Sequence, residues 1–202
     1  MSLASFDART LRGAEEDLAI GVDEAGRGPL AGPVVAAAVI LRSTRGLSGV
    51  RDSKLLSASK REELFIVIRQ NASIAVSWAH ARDIERLNIL RATLLSMRRA
   101  VLRLEQQGLV LVDGPHKIPD LALNQKAIID GDQLSLSVAC ASIVAKVVRD
   151  RWMARLDRRH PGYGFSKHKG YGTAAHLKAL NALGPSPIHR RTYAPVSALL
   201  KP

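Results

Sequence analysis

Cysteine is almost absent from this chain, which contains only Cys140 among its 202 residues. A single cysteine excludes an internal disulfide and a zinc site built on several cysteines, and it fits a reducing compartment. Long apolar runs are also missing, since no segment approaches the roughly eighteen residues that a membrane span needs. The N-terminal segment has no apolar stretch of signal-peptide length behind a basic start. We therefore expect a cytoplasmic protein that does not enter a membrane.

Acidic residues are scarce compared with basic ones. The chain has 18 Asp and Glu against 30 Lys and Arg, which gives a formal net charge of +12. Such an excess favours a polyanionic partner, because neutralising phosphates releases their bound counterions. Nucleic acid is therefore favoured over an anionic membrane surface or a role in solubility alone.

The apolar residues follow the patterns of an α/β protein. Strands are predicted at 18–24, 32–41, 73–81, 108–114 and 127–132, and helices at 59–72, 81–105, 135–156 and 173–184. Strands mixed with helices indicate a sheet that helices cover. We divide the chain into a loose polar arm (1–16), a core (17–160) and a C-terminal segment laid on that core (161–202).

Four carboxylates lie at or just after the ends of apolar strands, where unpaired charge is costly to bury. Asp23 and Glu24 close the first strand, Asp113 closes LVLVD, and Asp132 follows the last strand. Strand ends in one sheet can bring such groups together, and hard oxygen ligands suit Mg²⁺ or Mn²⁺. Two such ions can support phosphodiester hydrolysis. The alternative is that these residues only form turns, as Asp-Gly pairs often do.

Two phosphate-binding motifs are matched only in part. The segment G21-V-D-E-A-G26 has the glycine spacing of a P-loop, but Arg27 and Gly28 stand where Lys and Ser or Thr are needed. The segment G26-R-G-P-L-A31 matches a relaxed dinucleotide fingerprint, yet Pro33 and a β-rich run follow where a helix should begin. Both nucleotide-binding interpretations are therefore disfavoured.

Several further motifs occur in order along the chain. They are D23-E-A-G-R-G-P-L-A-G-P, D52-S-K-L-L, R86-L-N-I-L-R-A-T, V112-D-G, G131-D with S-V-A-C-A-S-I-V-A-K-V-V-R-D, H168-K-G-Y-G-T and P187-I-H-R-R. Together, from about residue 18 to 195, they closely resemble the bacterial branch of the type 2 ribonuclease H family. The resemblance implies a ribonuclease H-like mixed sheet flanked by helices, with a C-terminal helical segment that helps to grip the substrate.

The resemblance also implies which residues form the site. The metal-binding, catalytic carboxylates map onto Asp23, Glu24, Asp113 and Asp132. Asp130 competes for the fourth place, because it lies only two residues from Asp132. The Gly-Asp pair in front of the SVACASIVAK run favours Asp132.

Substrate recognition is implied at two further places. In this family the Gly26-Arg27-Gly28 loop contacts the ribonucleotide through its backbone, and the 2′-hydroxyl distinguishes RNA from DNA. Tyr171 matches a tyrosine that lies against the sugar at the junction where a ribonucleotide is followed by DNA. Tyr163 is a nearby competitor, and either ring could instead be a loop aromatic packed on the core.

Other polar residues carry weaker signals. Lys54 resembles a family position near the phosphates, although it could be a solvated loop lysine. Lys146 and Arg149 are three residues apart on one predicted helix and could face nucleic acid, although a charged helix face is common. The histidines, among them His168 and His189, receive no catalytic role because hard-metal nucleases do not need one.

The resemblance implies an endoribonuclease that uses two Mg²⁺ or Mn²⁺ ions. It would cut on the 5′ side of a ribonucleotide and leave a 3′-hydroxyl and a 5′-phosphate. Its substrates would be the RNA strand of RNA–DNA hybrids and single ribonucleotides in duplex DNA, with roles in ribonucleotide removal and primer degradation. We expect a monomer.

Two other classes remain open on the sequence. A non-catalytic nucleic-acid-binding module would explain the charge but not the four acids. A transposase or integrase would also use clustered acids, but the Gly-Arg-Gly loop and the missing DNA-recognition domain count against it.

Overall fold

The computed structural model describes residues 2–50 and 53–200, so that Asp52 of the D-S-K motif lies outside the described residues. These residues form one sheet with helices on both faces. The strands are β1 (Ala19–Ala25), β2 (Val34–Leu41), β3 (Ala72–Ala79), β4 (Leu109–Asp113) and β5 (Gln125–Ile128). The helices are α1 (Leu3–Ala14), α2 (Ala58–Asn71), α3 (Ala81–Leu87), α4 (Ile89–Leu102), α5 (Gly131–Leu134), α6 (Leu136–Arg159), α7 (Phe165–His168), α8 (Ala174–Leu183) and α9 (Ala194–Ser197).

The sheet is mixed, with strand order β3-β2-β1-β4-β5. The first three strands pair antiparallel, whereas β1, β4 and β5 run parallel to one another. Val22 is in register with Val112, so the residues that follow them, Asp23 and Asp113, come to the same edge of the sheet. The α/β fold class predicted from the sequence is therefore confirmed.

Two apolar layers hold the sheet. On one face, Ala37 and Val39 of β2 pack against α2 and the buried half of α6. On the other face, Ile20 and Val22 of β1 pack against α4. Successive residues of a strand point to opposite faces. Gly21 and Asp23 therefore belong to the face that α6 covers.

The close approach of α6 to β1 depends on Gly21. A β-carbon at this position would lie 2.1 Å from the carbonyl carbon of Ser137, at the start of α6. Such contacts do not occur between real atoms, so any other residue at position 21 would push the helix away from the strand. Glycine thus allows α6 to lie directly against the strand that carries Asp23 and Glu24.

The N-terminal residues differ from the expected loose arm at 1–16. Residues 3–14 form α1, whose Phe6 and Leu11 pack against the edge of the core. The buried carboxylate of Asp7 accepts a hydrogen bond of 2.9 Å from the backbone N–H of Ser137. These contacts were not visible in a segment whose composition is mostly polar.

Two predicted elements have different bounds. The long helix predicted at 81–105 is divided at Asn88, whose φ of 64° is not helical and whose side chain caps α4 by accepting from the Arg91 N–H. The strand predicted at 127–132 occupies Gln125–Ile128 instead. Asp130 adopts a left-handed conformation and is the N-cap residue at which α5 begins.

The C-terminal segment is joined to the loop between β1 and β2. Backbone hydrogen bonds connect the N–H of Leu30 to the Gly170 carbonyl (2.8 Å) and the N–H of Gly32 to the Ile188 carbonyl (2.9 Å). This loop contains the Gly-Arg-Gly sequence, so the C-terminal segment contributes directly to its position. Among the described residues, no helix has the length and apolar character to cross a bilayer.

Candidate active site

Four carboxylates meet at the edge of the sheet where β1 and β4 end. Asp23 and Glu24 are carried by β1, and Asp113 is the last residue of β4. Asp132 lies in the first turn of α5, and the N–H of the neighbouring Gly131 donates to Asp113 Oδ1 at 2.7 Å. All four sequence-predicted carboxylates are therefore at one place in the fold.

Burial and mutual repulsion shape the protonation of this cluster. Asp23 is only 4% exposed, and its burial, followed by the charges of Glu24 and Asp113, raises the pKa of Asp23 well above its usual value. Burial also raises the pKa of Glu24, and burial together with the charge of Asp132 raises the pKa of Asp113. Carboxylates in such an arrangement need a cation if they are to remain ionised together.

Basic side chains and backbone amides contact the oxygens of the four carboxylates. Arg27 Nη1 lies 3.6 Å from Glu24 Oε1, and Lys54 Nζ lies 3.4 Å from Asp132 Oδ2. Within the described part of the chain, no three carboxylate, imidazole or thiolate groups already converge as the ligands of one ion. The donor chemistry nevertheless fits a hard divalent cation, because such ions prefer carboxylate oxygens as ligands.

Asp130 and Asp132 have different environments. Asp132 is 2% exposed and contacts Lys54, and its charge acts on Asp113. Asp130 is exposed, and its side chain makes no capping hydrogen bond to α5. The geometry brings Asp132, and not Asp130, to the carboxylate cluster.

A cavity of about 250 Å³ opens above three of the four carboxylates, and Asp132 is not among its lining residues. It is lined by Asp23, Glu24, Ala25, Gly26, Arg27, Gly28, Ser53, Lys54, Asp113, Ser142, Lys146 and Tyr171. Sequence reasoning had assigned most of these residues to catalysis or substrate binding, but it had missed Ser53 and Ser142. Their hydroxyls lie 2.9 Å apart, and Ser142 also hydrogen-bonds Asp23. Serines in an apolar helix such as α6 carry no distinctive sequence signal.

The two candidate tyrosines have distinct surroundings. The Tyr171 side chain faces the cavity, is 45% exposed, and has a ring carbon 3.8 Å from the position of a β-carbon on Gly28. Tyr163 is 9% exposed, stacks on Phe165 and donates its hydroxyl to the Gly184 carbonyl at 2.7 Å. Of the two, only Tyr171 can touch a ligand in this cavity.

A sequence model described as Ribonuclease HII matches residues 20–196. The chain belongs to the ribonuclease HII family. Ribonuclease HII of Albidiferax ferrireducens is 55% identical over 187 residues, covering 91% of this chain and 89% of that protein. Ribonuclease HII of Maricaulis maris is 56% identical over 182 residues, covering 90% and 84%. The crystal structure of ribonuclease H2 from Pyrococcus horikoshii matches with a TM-score of 0.74 and 25% identity, covering 91% and 97%.

Ribonuclease HII proteins are ribonucleases that cleave RNA in RNA–DNA hybrids, and membership of this family identifies the chain as a nuclease. The ribonuclease H-like fold expected from the sequence is confirmed by the structural match. The resemblance to the bacterial branch is likewise confirmed by the bacterial relatives.

Behind the Gly-Arg-Gly loop lies Arg190, to which sequence reasoning gave no role. Its guanidinium is fully buried and donates to the carbonyls of Gly26, Arg27 (2.6 Å) and Gly32 (3.1 Å from Nε). The Tyr193 hydroxyl also donates to the Arg27 carbonyl at 2.7 Å. Side chains of the C-terminal segment thus satisfy the loop carbonyls from the side that faces the protein interior. The only sequence signal for Arg190 was its place in the P-I-H-R-R motif.

Arg149 also supports this loop, which corrects the expectation that it could face nucleic acid. Its side chain is 1% exposed and donates to the carbonyls of Pro33 (2.9 Å) and Lys169 (3.0 Å). Burial, followed by the charge of Arg190, lowers the pKa of Arg149 to about 10. Gly26 packs directly on this guanidinium, since a β-carbon there would lie 1.9 Å from Arg149 Nε.

Proposed function

We propose that this protein is a divalent-metal-dependent endoribonuclease that cuts on the 5′ side of a ribonucleotide paired with DNA, leaving a 3′-hydroxyl and a 5′-phosphate. One observation carries the proposal: Asp23, Glu24 and Asp113 of the carboxylate cluster line a cavity that the Gly-Arg-Gly loop and Tyr171 also line. The cluster suits phosphodiester hydrolysis, and the loop and Tyr171 suit recognition of a sugar. A nucleic-acid-binding module would need only the second of these features.

Asp23, Glu24, Asp113 and Asp132 would hold Mg²⁺ or Mn²⁺, two ions in the catalytic complex. Such ions, when bound, lower the pKa of the attacking water and neutralise the departing 3′-oxygen. The carboxylates contribute the fixed negative charge that holds the ions. Lys54 and Arg27, which line the same cavity, would move from carboxylate oxygens to the substrate phosphate. The metal contacts would then replace the two ion pairs seen at 3.4 and 3.6 Å.

The loop Gly26–Gly28 is proposed to recognise the ribose. Because Arg190 and Tyr193 bind its carbonyls, its backbone N–H groups can be presented to the 2′-hydroxyl at close range. Tyr171 would lie against the sugar at the RNA–DNA junction. Lys54 and Lys146, which also line the cavity, would contact phosphates and so position the strand without reading the sugar.

In the cell we propose that the protein acts as a monomer in the cytoplasm. Its roles would be to remove single misincorporated ribonucleotides and to degrade RNA primers. The net charge of +12 supports binding to duplex nucleic acid.

The proposed reaction is tested by cleavage of duplex DNA that carries one ribonucleotide, with and without Mg²⁺ or Mn²⁺, mapped at nucleotide resolution. We expect one metal-dependent cut on the 5′ side of the ribonucleotide and none in an all-DNA duplex. Metal-independent binding without turnover would instead identify a binding module. Cutting or joining of the all-DNA duplex would favour a transposase or integrase.

Ribose recognition is tested by a selectivity ratio, defined as kcat/KM on the single-ribonucleotide duplex divided by kcat/KM on a long RNA–DNA hybrid. Tyr171→Ala should lower this ratio about ten- to a hundredfold, by analogy with a lost stacking contact. A long hybrid presents a 2′-hydroxyl in every register and should lose less. Tyr163→Phe, which removes only the hydroxyl bonded to Gly184, is the matched control and should leave the ratio unchanged.

A further inference from the structure

Three histidines lie together directly behind Tyr171, outside the cavity. His168 ends α7, His176 lies in α8, and His189 belongs to the segment that follows α8. The rings of His168 and His176 stack with centroids 4.3 Å apart, and those of His176 and His189 are 5.2 Å apart. His176 and His189 are fully buried. The proposed function uses none of these side chains.

Backbone groups determine which ring nitrogens carry protons. The N–H of Ser186 donates to His189 Nδ1 at 2.9 Å, so Nδ1 is an acceptor and the proton of the neutral ring is on Nε2. His189 Nε2 lies 3.0 Å from His176 Nε2 and must donate to it. The remaining proton of His176 is therefore on Nδ1, which donates to the Tyr171 carbonyl at 2.9 Å.

His168 anchors the same segment through a separate pair of contacts. Its Nδ1 accepts from the Gly170 N–H at 3.2 Å, and its Nε2 lies 2.7 Å from the Tyr163 carbonyl, to which it donates. Both ring nitrogens of His168 are thus bound to backbone groups of the segment from Tyr163 to Gly170.

We propose that His189 and His176 are positioning residues, a directional hydrogen-bond relay that holds the Tyr171 backbone and so sets the selectivity for RNA–DNA junctions. The relay runs from the Ser186 N–H through both rings to the Tyr171 carbonyl. This inference rests on the proposed function, in which Tyr171 contacts the ribose.

The surroundings of Tyr171 explain why its backbone needs such support. The side chain is 45% exposed, and its described ring contact is with the Arg149 guanidinium, 6.0 Å from the ring centroid. Packing therefore restrains the ring weakly, and its position depends on where the backbone is held. Burial lowers the pKa of His189 to about 4, which agrees with a ring that stays neutral.

The first test is ¹⁵N NMR of the histidines in the unmodified protein near neutral pH. We expect neutral rings with the proton on Nδ1 of His176 and on Nε2 of His189. The opposite tautomer or a charged ring at His176 would overturn the relay, and this measurement does not depend on the folding of any variant.

The second test compares two replacements of the same ring. His176→Leu removes the donor to Tyr171 and should lower the selectivity ratio about tenfold, the size expected for one lost ordered hydrogen bond. The effect should appear in KM for the single-ribonucleotide duplex, while kcat/KM on the long hybrid is retained. His176→Asn keeps a donor near the position of Nδ1 and should restore most of the ratio.

Leu180→Ala is the matched control, because Leu180 is buried in the same helix and makes no relay hydrogen bond. It should reduce stability without changing the ratio. If Tyr171→Ala lowers the ratio but His176→Leu does not, the relay is refuted and the proposed ribose contact stands. If Tyr171→Ala leaves the ratio unchanged, the ribose contact itself is refuted, and the positioning role falls with it.

Discussion

Replacing Asp23 by asparagine should make the protein more stable while it removes nearly all turnover. Asp23 is buried next to Glu24 and Asp113, and burial and both charges raise its pKa. Two like charges some 5–6 Å apart at an effective dielectric constant of 20 repel by about 3 kcal/mol. Asparagine removes this repulsion, and its Oδ1 can still accept from the Glu24 N–H, now at 2.6 Å. Its amide can donate to the Ser142 hydroxyl.

Part of this gain is lost because the new amide is still buried, so we expect a net stabilisation of about 1–3 kcal/mol. For a chain of this length that corresponds to a rise in Tm of roughly 2–10 °C, measured by calorimetry with a chelator present. The gain should shrink as the pH falls through the raised pKa of Asp23. The native carboxyl then binds a proton more readily than the unfolded one does, and the unmodified protein recovers stability.

Manganese should reverse the order of stability. At a concentration one hundred times its Kd, a ligand stabilises the native state by about 2.7 kcal/mol. The unmodified protein should gain this amount and Asp23→Asn little of it. Asp130→Asn, which changes an exposed residue, is the control and should alter neither activity nor Tm. If the Tm difference between Asp23→Asn and the unmodified protein were the same with and without metal, or if the variant retained activity, the assignment of Asp23 as a metal ligand would be refuted.

Three further predictions concern the parts that support the site. Arg190→Lys should lower both Tm and the selectivity ratio, because one ammonium cannot reach all the carbonyls that the guanidinium binds. An unchanged ratio would show that the loop keeps its conformation without these hydrogen bonds. Gly26→Ala should lower expression and cleavage strongly, since the new β-carbon would overlap Arg149 and φ is 98° at this position; near-normal cleavage would contradict the observed packing. The low pKa of His189 should cost about 2–3 kcal/mol of stability as the pH falls from about 6.5 to 4, because the unfolded ring binds a proton that the native ring excludes. Urea titrations across that range should show a smaller loss for His189→Gln.

Much of the core was readable from local patterns. The short apolar runs of β1 and β4 and the capped helix α2 were recognised, and their predicted bounds agree with the structure to within one or two residues. The N-terminal helix was missed because its polar composition hides the few apolar contacts that dock it. The division of the helix at Asn88 was missed because a single residue with positive φ leaves the apolar spacing almost unchanged.

The sequence by itself determined the chemistry of this protein: the carboxylates, the Gly-Arg-Gly loop, the basic excess and the family to which they point. These are properties of residue type and spacing along the chain, which can be read without knowing the tertiary fold. Only the tertiary structure decided which groups support them, as Arg190 and His176 demonstrate. Both side chains donate hydrogen bonds to backbone carbonyls, and those bound by Arg190 lie more than 150 positions away in the chain. Every residue has a backbone carbonyl, so the sequence does not indicate which one will be bound. A side chain that recognises backbone leaves no pairing pattern, so its partner can be found only in the folded molecule.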